Sequence, residues 1–410
     1  MKRFNQYITE ADANLHMTHL EDAVIDGGVK GTRNVINYLR NIRDMLSGNT
    51  KAPVNITTKW DGAPAIFAGT DPADGKFFVA KKGVFNKTPK LYKTNAEIDN
   101  DLSGELNSKF KVALVEFAKL GIEGVVQGDF LYTNDDLKTE NIDGEPHVTF
   151  HPNTIVYAVP KSSSLGATIS GSKIGVVWHT VYSGSTLETM SASFGQPIST
   201  KLKKVKTVWH VDATFQDKSG TATFTDAENK ALTAQLSKAG TLFRTIDAAV
   251  LNELGTNEEL NQKINTFINT KVREGQRIGS VKPFVIDLQR YIQQYYQKEA
   301  DKRKTPAGKK TQMDKAASVL GIFDKKNTRK LEAIFTLYDL MVDMKYVIID
   351  KLNTVDGIRT LLKTAKGFEV TGQEGFVAID HYGKNALKIV DRMGFSQANF
   401  SDKYIKGWQK

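Results

Sequence analysis

The chain has 410 residues, 40% hydrophobic and 25% charged, the balance of a globular protein with material for two or three domains. It holds no cysteine, which excludes disulfides, thiolate-ligated zinc and cysteine nucleophiles, and its seven histidines show no HExxH spacing, which argues against a zinc hydrolase. The formal charge of +10 favours a phosphate-rich partner, and no apolar run reaches membrane-spanning length.

The first ten residues, MKRFNQYITE, lack the apolar core of a secretory signal and read as a short amphipathic helix at a terminus. Residues 19–46 have helical spacing, with Val35, Ile36, Leu39, Ile42 and Leu46 on one face. Residues 54–181 are cut by Gly, Pro, Asn and Asp into short strand-like runs. These are VNITTKW, AIFAG, FFVAKKGVF, GVVQGDFLY, HVTF, TIVYAVP and IGVVWHTVY, with one helix interposed at about 106–120. The basic run KLKKVK (201–206) precedes a further β-like run, TVWHVDATF. From 226 to about 366 the spacing is helical. Its most apolar stretch, 331–352, is interrupted by Asp339, Asp343, Lys345 and Asp350 and reads as a buried amphipathic helix. The charged run KRKTPAGKK (302–310) carries a Pro-Gly break between two helices. Residues 370–390 return to strand character. The economical layout is one β-rich domain carrying a large helical insertion; two independent β domains are the alternative.

The stretch ITTKWDGAPAIFAG (56–69) holds the chemical question. Asp61-Gly62 between two apolar runs is a tight-turn signal, and on that reading Lys59 is a solvated strand-end residue. A lysine held at the end of a buried strand can instead be a nucleophile. Further along, each on a strand or strand end, come AKKG with Lys82, QGDF with Asp129, TIVYAVP with Tyr157, IGVVWHT with Trp178, QEGFV with Glu374 and LKIV with Lys388.

In this order the motifs resemble the covalent nucleotidyltransferase superfamily of ATP-dependent polynucleotide ligases and capping enzymes, with the phage RNA ligases looking closest. The resemblance implies an α+β fold, an antiparallel-sheet nucleotidyltransferase (ATP-grasp-like ligase) domain with a large helical insertion. Combined with the patterning along the chain, this gives a terminal peptide over 1–18, the first part of the domain over 19–225, a helical insertion over 226–366, which matches no part of the resemblance, and the completion over 367–410. ATP and Mg2+ are the implied cofactors, and nucleic-acid ends, RNA more than DNA, the implied partner. Lys59 would form a lysyl-AMP intermediate, with Asp61 and Gly62 completing K-x-D-G. Lys82 would touch ribose or phosphate. Asp129 stands where a Glu usually contacts the ribose. Tyr157, or failing that Trp178, would stack on the base, Glu374 would help hold the metal, and Lys388 would neutralise the triphosphate. Such chemistry needs an unprotonated amine and cations around the departing pyrophosphate.

Two positions depart from the pattern. Asp129 is one methylene shorter than the expected Glu, and Val390 stands where a second lysine is usual, with Arg392 or Lys384 as substitutes. The first residues, M-K-x-F-x-x-Y-I-x-E followed by Ala, resemble capsid-targeting peptides of T-even-type phage internal head proteins. That implies cutting by a prohead protease after Glu10, two residues beyond Ile8, and packaging in the phage head as well as the host cytoplasm. Two further functions stay open: a non-catalytic internal head protein that keeps a ligase-like fold and binds DNA or capsid, and a nucleotidyltransferase that modifies another acceptor or uses GTP. The run at 302–310 either docks a nucleic-acid strand or is a solvated helix–helix linker. No membrane is expected.

Overall fold

The computed structural model describes residues 18–48, 54–213, 223–353, 358–365, 367–380 and 386–409. The terminal peptide and its Ile8–Glu10 cleavage signal lie outside these residues, as does Lys384. The described fold is mixed α+β with largely antiparallel sheets.

Three sheets organise the chain. The smallest joins β1 (Val54–Lys59), β13 (Gly375–Asp380) and β14 (Ala386–Val390) in that order, all antiparallel. The second runs β10 (Val208–Asp212), β8 (Ile174–Ser183), β4 (Val125–Thr133), β2 (Ala65–Thr70) and β3 (Phe77–Ala80), with β9 (Ser191–Phe194) on β8. Its β10–β8 pair is parallel. The third runs β12 (Gly367–Val370), β11 (Arg359–Thr364), β7 (Ile155–Pro160), β6 (Glu145–Phe150) and β5 (Lys138–Ile142).

Helix α4 (Gly104–Phe117) covers one face of the second sheet, where Phe110 and Phe117 meet Val126, Phe130, Val176 and Trp178. The opposite face packs on the third sheet through Leu131, Val177, Phe150 and Tyr157. Alternation along β4 and β8 puts successive apolar residues into these two cores.

The helical segment begins at α6 (Asp226–Thr245), whose Thr225 forms a reciprocal capping box with Glu228. It continues through α7 (Ala248–Thr256), α8 (Glu258–Arg273), α9 (Val281–Asp301), α10 (Pro306–Leu320) and α11 (Thr328–Leu352). The break expected between two helices falls at 302–305, and Pro306 opens the second of them: Thr305 caps α10 and Pro306 occupies its first turn, where a missing N–H costs nothing.

The structure differs from the expected insertion in two respects. These helices do not loop out. They share one core with α1 (Asp22–Asp26), α2 (Gly28–Leu46) and the small sheet, through Ile56, Phe376, Ala378, Leu387 and Ile389. The expected boundary at 366 also misplaces β11, which pairs with β7 and belongs to the third sheet. Leu331, Phe335 and Ile348 of α11 are buried in the shared core, as its spacing implies. Among the described residues no helix is long and apolar enough to cross a membrane.

Candidate active site

Lys59 ends β1 and pairs in register with Gly375, so the residue before Gly375 comes beside it. The Lys59 Nζ contacts Glu374 Oε1 directly, although 315 positions separate the two in the chain. Glu374 is only 7% exposed. Burial, helped by the charges of Asp61 and Asp129, pushes its carboxyl up to about 7, with Lys59 opposing the shift. Gly375 has a φ of +152°, and a Cβ there would meet the Ile389 carbonyl at 2.7 Å, so the turn that delivers Glu374 requires glycine.

The next strand of the small sheet brings Lys388, opposite Val377 on β13. Its pKa is lowered by burial first and then by Lys59, Arg392 and Lys82, with Glu374 acting the other way. Lys82, exposed at the start of a short 3-10 turn (Lys82–Phe85), is therefore part of the same field. The sequence reads FFVAKKGVF as one strand, whereas β3 stops at Ala80 and this turn re-aims Lys82.

Asp61, expected to act with Lys59 in the chemistry, is also tied into the neighbouring turn. Its side chain is 2% exposed and accepts from Asn153 Nδ2 (2.5 Å), Thr154 N (2.6 Å) and Ile155 N (2.8 Å). Its own amide donates to the Tyr157 hydroxyl at 2.7 Å. The carboxylate thus braces the turn between β6 and β7 against the Lys59 loop. Gly62 lies directly against β4: a Cβ would meet Asp129 Cβ at 2.6 Å and Phe130 O at 3.0 Å.

Asp129, on β4, faces the charges of Lys59 and Asp61, and burial raises its pKa. His179 Nε2 stands 3.9 Å from Asp129 Oδ1, and its Nδ1 is 2.7 Å from Thr180 Oγ1. A register shift between β4 and β8 at this point puts Gln127 opposite Thr180 and Gly128 opposite Trp178, leaving His179 as the extra residue of a bulge. Burial lowers the His179 pKa, which favours the neutral imidazole.

Neither expected base-stacking ring is open to a ligand. Tyr157 is wholly buried between Trp60 and Phe150, at centroid distances of 4.9 and 5.2 Å, and Trp178 packs on Phe117 in the other core. Both serve as packing residues. Arg392, a substitute for the missing second lysine, is held by Asp22 at 2.7 Å and by Asn269 at 2.6 Å. It belongs to a buried cluster in which Lys345 pairs with Glu21 at 2.6 Å and Tyr338 donates to Asp22.

A cavity of about 310 Å³ opens beside these groups, lined by Lys59, Glu374, Lys388, Arg392, Arg273 and His19. His19 reaches it because the chain at 18–20 bonds to the backbone of Lys388 on both sides, Leu20 N to its carbonyl and its amide to Thr18 O. Its Nδ1 is buried without a partner, and burial lowers its pKa to about 3.

The sequence reading missed His19, His179, Arg273 and α12 (Arg392–Phe400). A signal existed for His179 alone: alternation through IGVVWHT puts it on the face opposite Trp178. Among the described residues no group of three or more His, Asp or Glu is arranged to enclose a metal ion.

The chain belongs to a family of unknown function (DUF6267), whose model matches residues 14–404, a span that takes in every site residue described above. No curated protein and no solved structure matches it.

Proposed function

We propose that the chain is an ATP-dependent nucleotidyltransferase of the polynucleotide-ligase type, forming a lysyl-AMP at Lys59 and sealing 5′-phosphate and 3′-hydroxyl ends, of RNA before DNA. The observation that carries this reading is the convergence of Lys59 on β1, Glu374 just before β13 and Lys388 on β14, three neighbouring strands, in direct contact or mutual electrostatic range. A structural lysine would gain nothing from a half-buried second lysine beside it, since like charges in a poorly solvated site repel. A phosphate chain entering the cavity relieves that repulsion. Lys59 Nζ, as the neutral amine, attacks the α-phosphorus; the P–N bond forms as the P–O bond to pyrophosphate breaks, the nitrogen's surplus proton passes to solvent, and Lys388 and Lys82 stabilise the departing charge.

Glu374 would hold Mg2+, with Asp129 as the second carboxylate facing Lys59, since magnesium is usually held by one or two carboxylates plus phosphate oxygens. When bound, the ion neutralises charge on the phosphates. Asp61 acts at one remove, by fixing the loop that carries Lys59.

The test is incubation with α-labelled ATP and Mg2+, which is expected to leave label on the wild type that survives denaturation and alkali and is released by acid, as a lysine phosphoramidate requires, and none on Lys59→Ala. Absence of label on the wild type, or equal label on Lys59→Ala, refutes the covalent mechanism. Label from GTP and not ATP changes the nucleotide to guanylate.

A further inference from the structure

We infer that the pocket adjoining the Lys59 cavity receives an unstacked nucleobase from a single-stranded nucleic-acid end. This rests on the reaction proposed above and names the form of its acceptor. The second pocket has a volume of about 520 Å³ and shares Glu374, Arg273 and Phe400 with the first, so the two meet at the site itself. That volume is in the range of small-molecule sites.

Its shared edge has the chemistry of a stacking platform. Phe400, the last residue of α12, leaves 69% of its surface exposed. Arg273, the last residue of α8, sets its guanidinium 5.3 Å from the Phe400 ring centroid. An exposed aromatic beside a cation binds single strands with little sequence preference, because every base presents a π-face and every nucleotide a phosphate. Thr154 Oγ1 donates to Asn399 at 2.6 Å, which ties the end of α12 to the turn braced by Asp61. Gln373 also lines the pocket, and its Oε1 is buried without a partner, an acceptor that a small side-chain rotation would present to an exocyclic amine of a base.

The charges divide the two pockets. The first sets Lys59, Lys388, Arg273 and Arg392 against Glu374 alone, and with Arg392 committed to Asp22 it still carries a cationic excess. The second sets Arg273 and Lys403 against Asp350, Glu374 and Asp391, and with Lys403 paired to Glu369 it carries no cationic excess. Phosphates belong in the first and a base in the second. A paired duplex end keeps its bases stacked inside the helix and cannot place one there.

Fluorescence anisotropy on the full chain tests this, with a 5′-phosphorylated eight-nucleotide single-stranded RNA, its DNA counterpart and the corresponding blunt RNA and DNA duplexes as probes. Single strands are expected to bind at least tenfold more tightly than the duplexes. Phe400→Leu, which keeps an apolar side chain and removes the π-face, and Arg273→Gln are each expected to weaken single-strand binding by about 5- to 30-fold. Their melting curves are expected to match the wild type, since both side chains are exposed. Duplex binding as tight as single-strand binding, or two variants that bind like the wild type, overturns the inference. Lysyl labelling of the same wild-type preparation reads the reaction separately. Single-strand binding that depends on Phe400, in a protein that takes no label, upholds this surface and refutes the reaction.

Discussion

Asp61 offers the sharpest separation between a catalytic and a bracing carboxylate. Both backbone donors it receives, Thr154 N and Ile155 N, go to one oxygen, Oδ2, while Asn153 Nδ2 goes to the other. Asp61→Ala leaves two buried amides without an acceptor. At about 1–3 kcal/mol for each orphaned donor, the expected loss is about 2–6 kcal/mol, a large part of the stability of most domains. Asp61→Asn keeps an oxygen in the Oδ2 position, and a flip of the Asn153 amide supplies an acceptor for the new NH2 group. Its expected loss is below about 1.5 kcal/mol, that of weakening charge-assisted bonds to neutral ones. Urea denaturation followed by tryptophan fluorescence measures both, because Trp60 packs on Tyr157 beside the braced turn. Labelling by Asp61→Asn should then fall no further than its stability explains. Equal destabilisation by Asn and Ala refutes the bracing argument, and a stable Asp61→Asn protein without label restores Asp61 to a direct chemical role.

Glu374 yields two pH effects of opposite sign. Its folded pKa of about 7 exceeds the ordinary 4.5, so the folded state binds the extra proton between those values. Its contribution to stability therefore declines as pH rises from about 4.5 to 7 and levels off above, a slope that Glu374→Gln should flatten in melting curves taken across that window. Labelling needs the ionised carboxylate and should rise through about pH 7; a rate independent of pH between 6 and 8 would count against its role. Gly62→Ala forces a Cβ to within 2.6 Å of Asp129 Cβ, and is expected to cost about 1–3 kcal/mol and to lower labelling more than Lys82→Ala does. Denaturation and labelling series on the two variants compare the effects.

Much of the local structure was legible in the chain. The runs VNITTKW, AIFAG, GVVQGDFLY, TIVYAVP and IGVVWHTVY correspond to β1, β2, β4, β7 and β8, because apolar runs bounded by turn residues have few other ways to satisfy their backbone. β5, the strand Lys138–Ile142, was passed over because KTENI is mostly polar and gains its place from pairing with β6. α12 was passed over for a similar reason: RMGFSQANF has little helical patterning and is held by Arg392, Asn399 and its neighbours. The rings of Tyr157 and Trp178 look alike as strand aromatics whether they face a ligand or a core, and only the packing of the second sheet between α4 and the third sheet shows that both are enclosed.

By itself the sequence determined the positions where chemistry is available: a lysine at a strand end before Asp-Gly, a glutamate before Gly375, a lysine in a later strand. Those depend on nearest-neighbour backbone preferences and the alternation of strands. The tertiary structure alone decided what each does. It paired Lys59 with Glu374, assigned Asp61 to a turn, drew His19 to the back of Lys388, and brought Arg273 and Phe400 from two helices to one rim. Register, burial and charge at a site are set by contacts between segments hundreds of positions apart, and no local pattern encodes them.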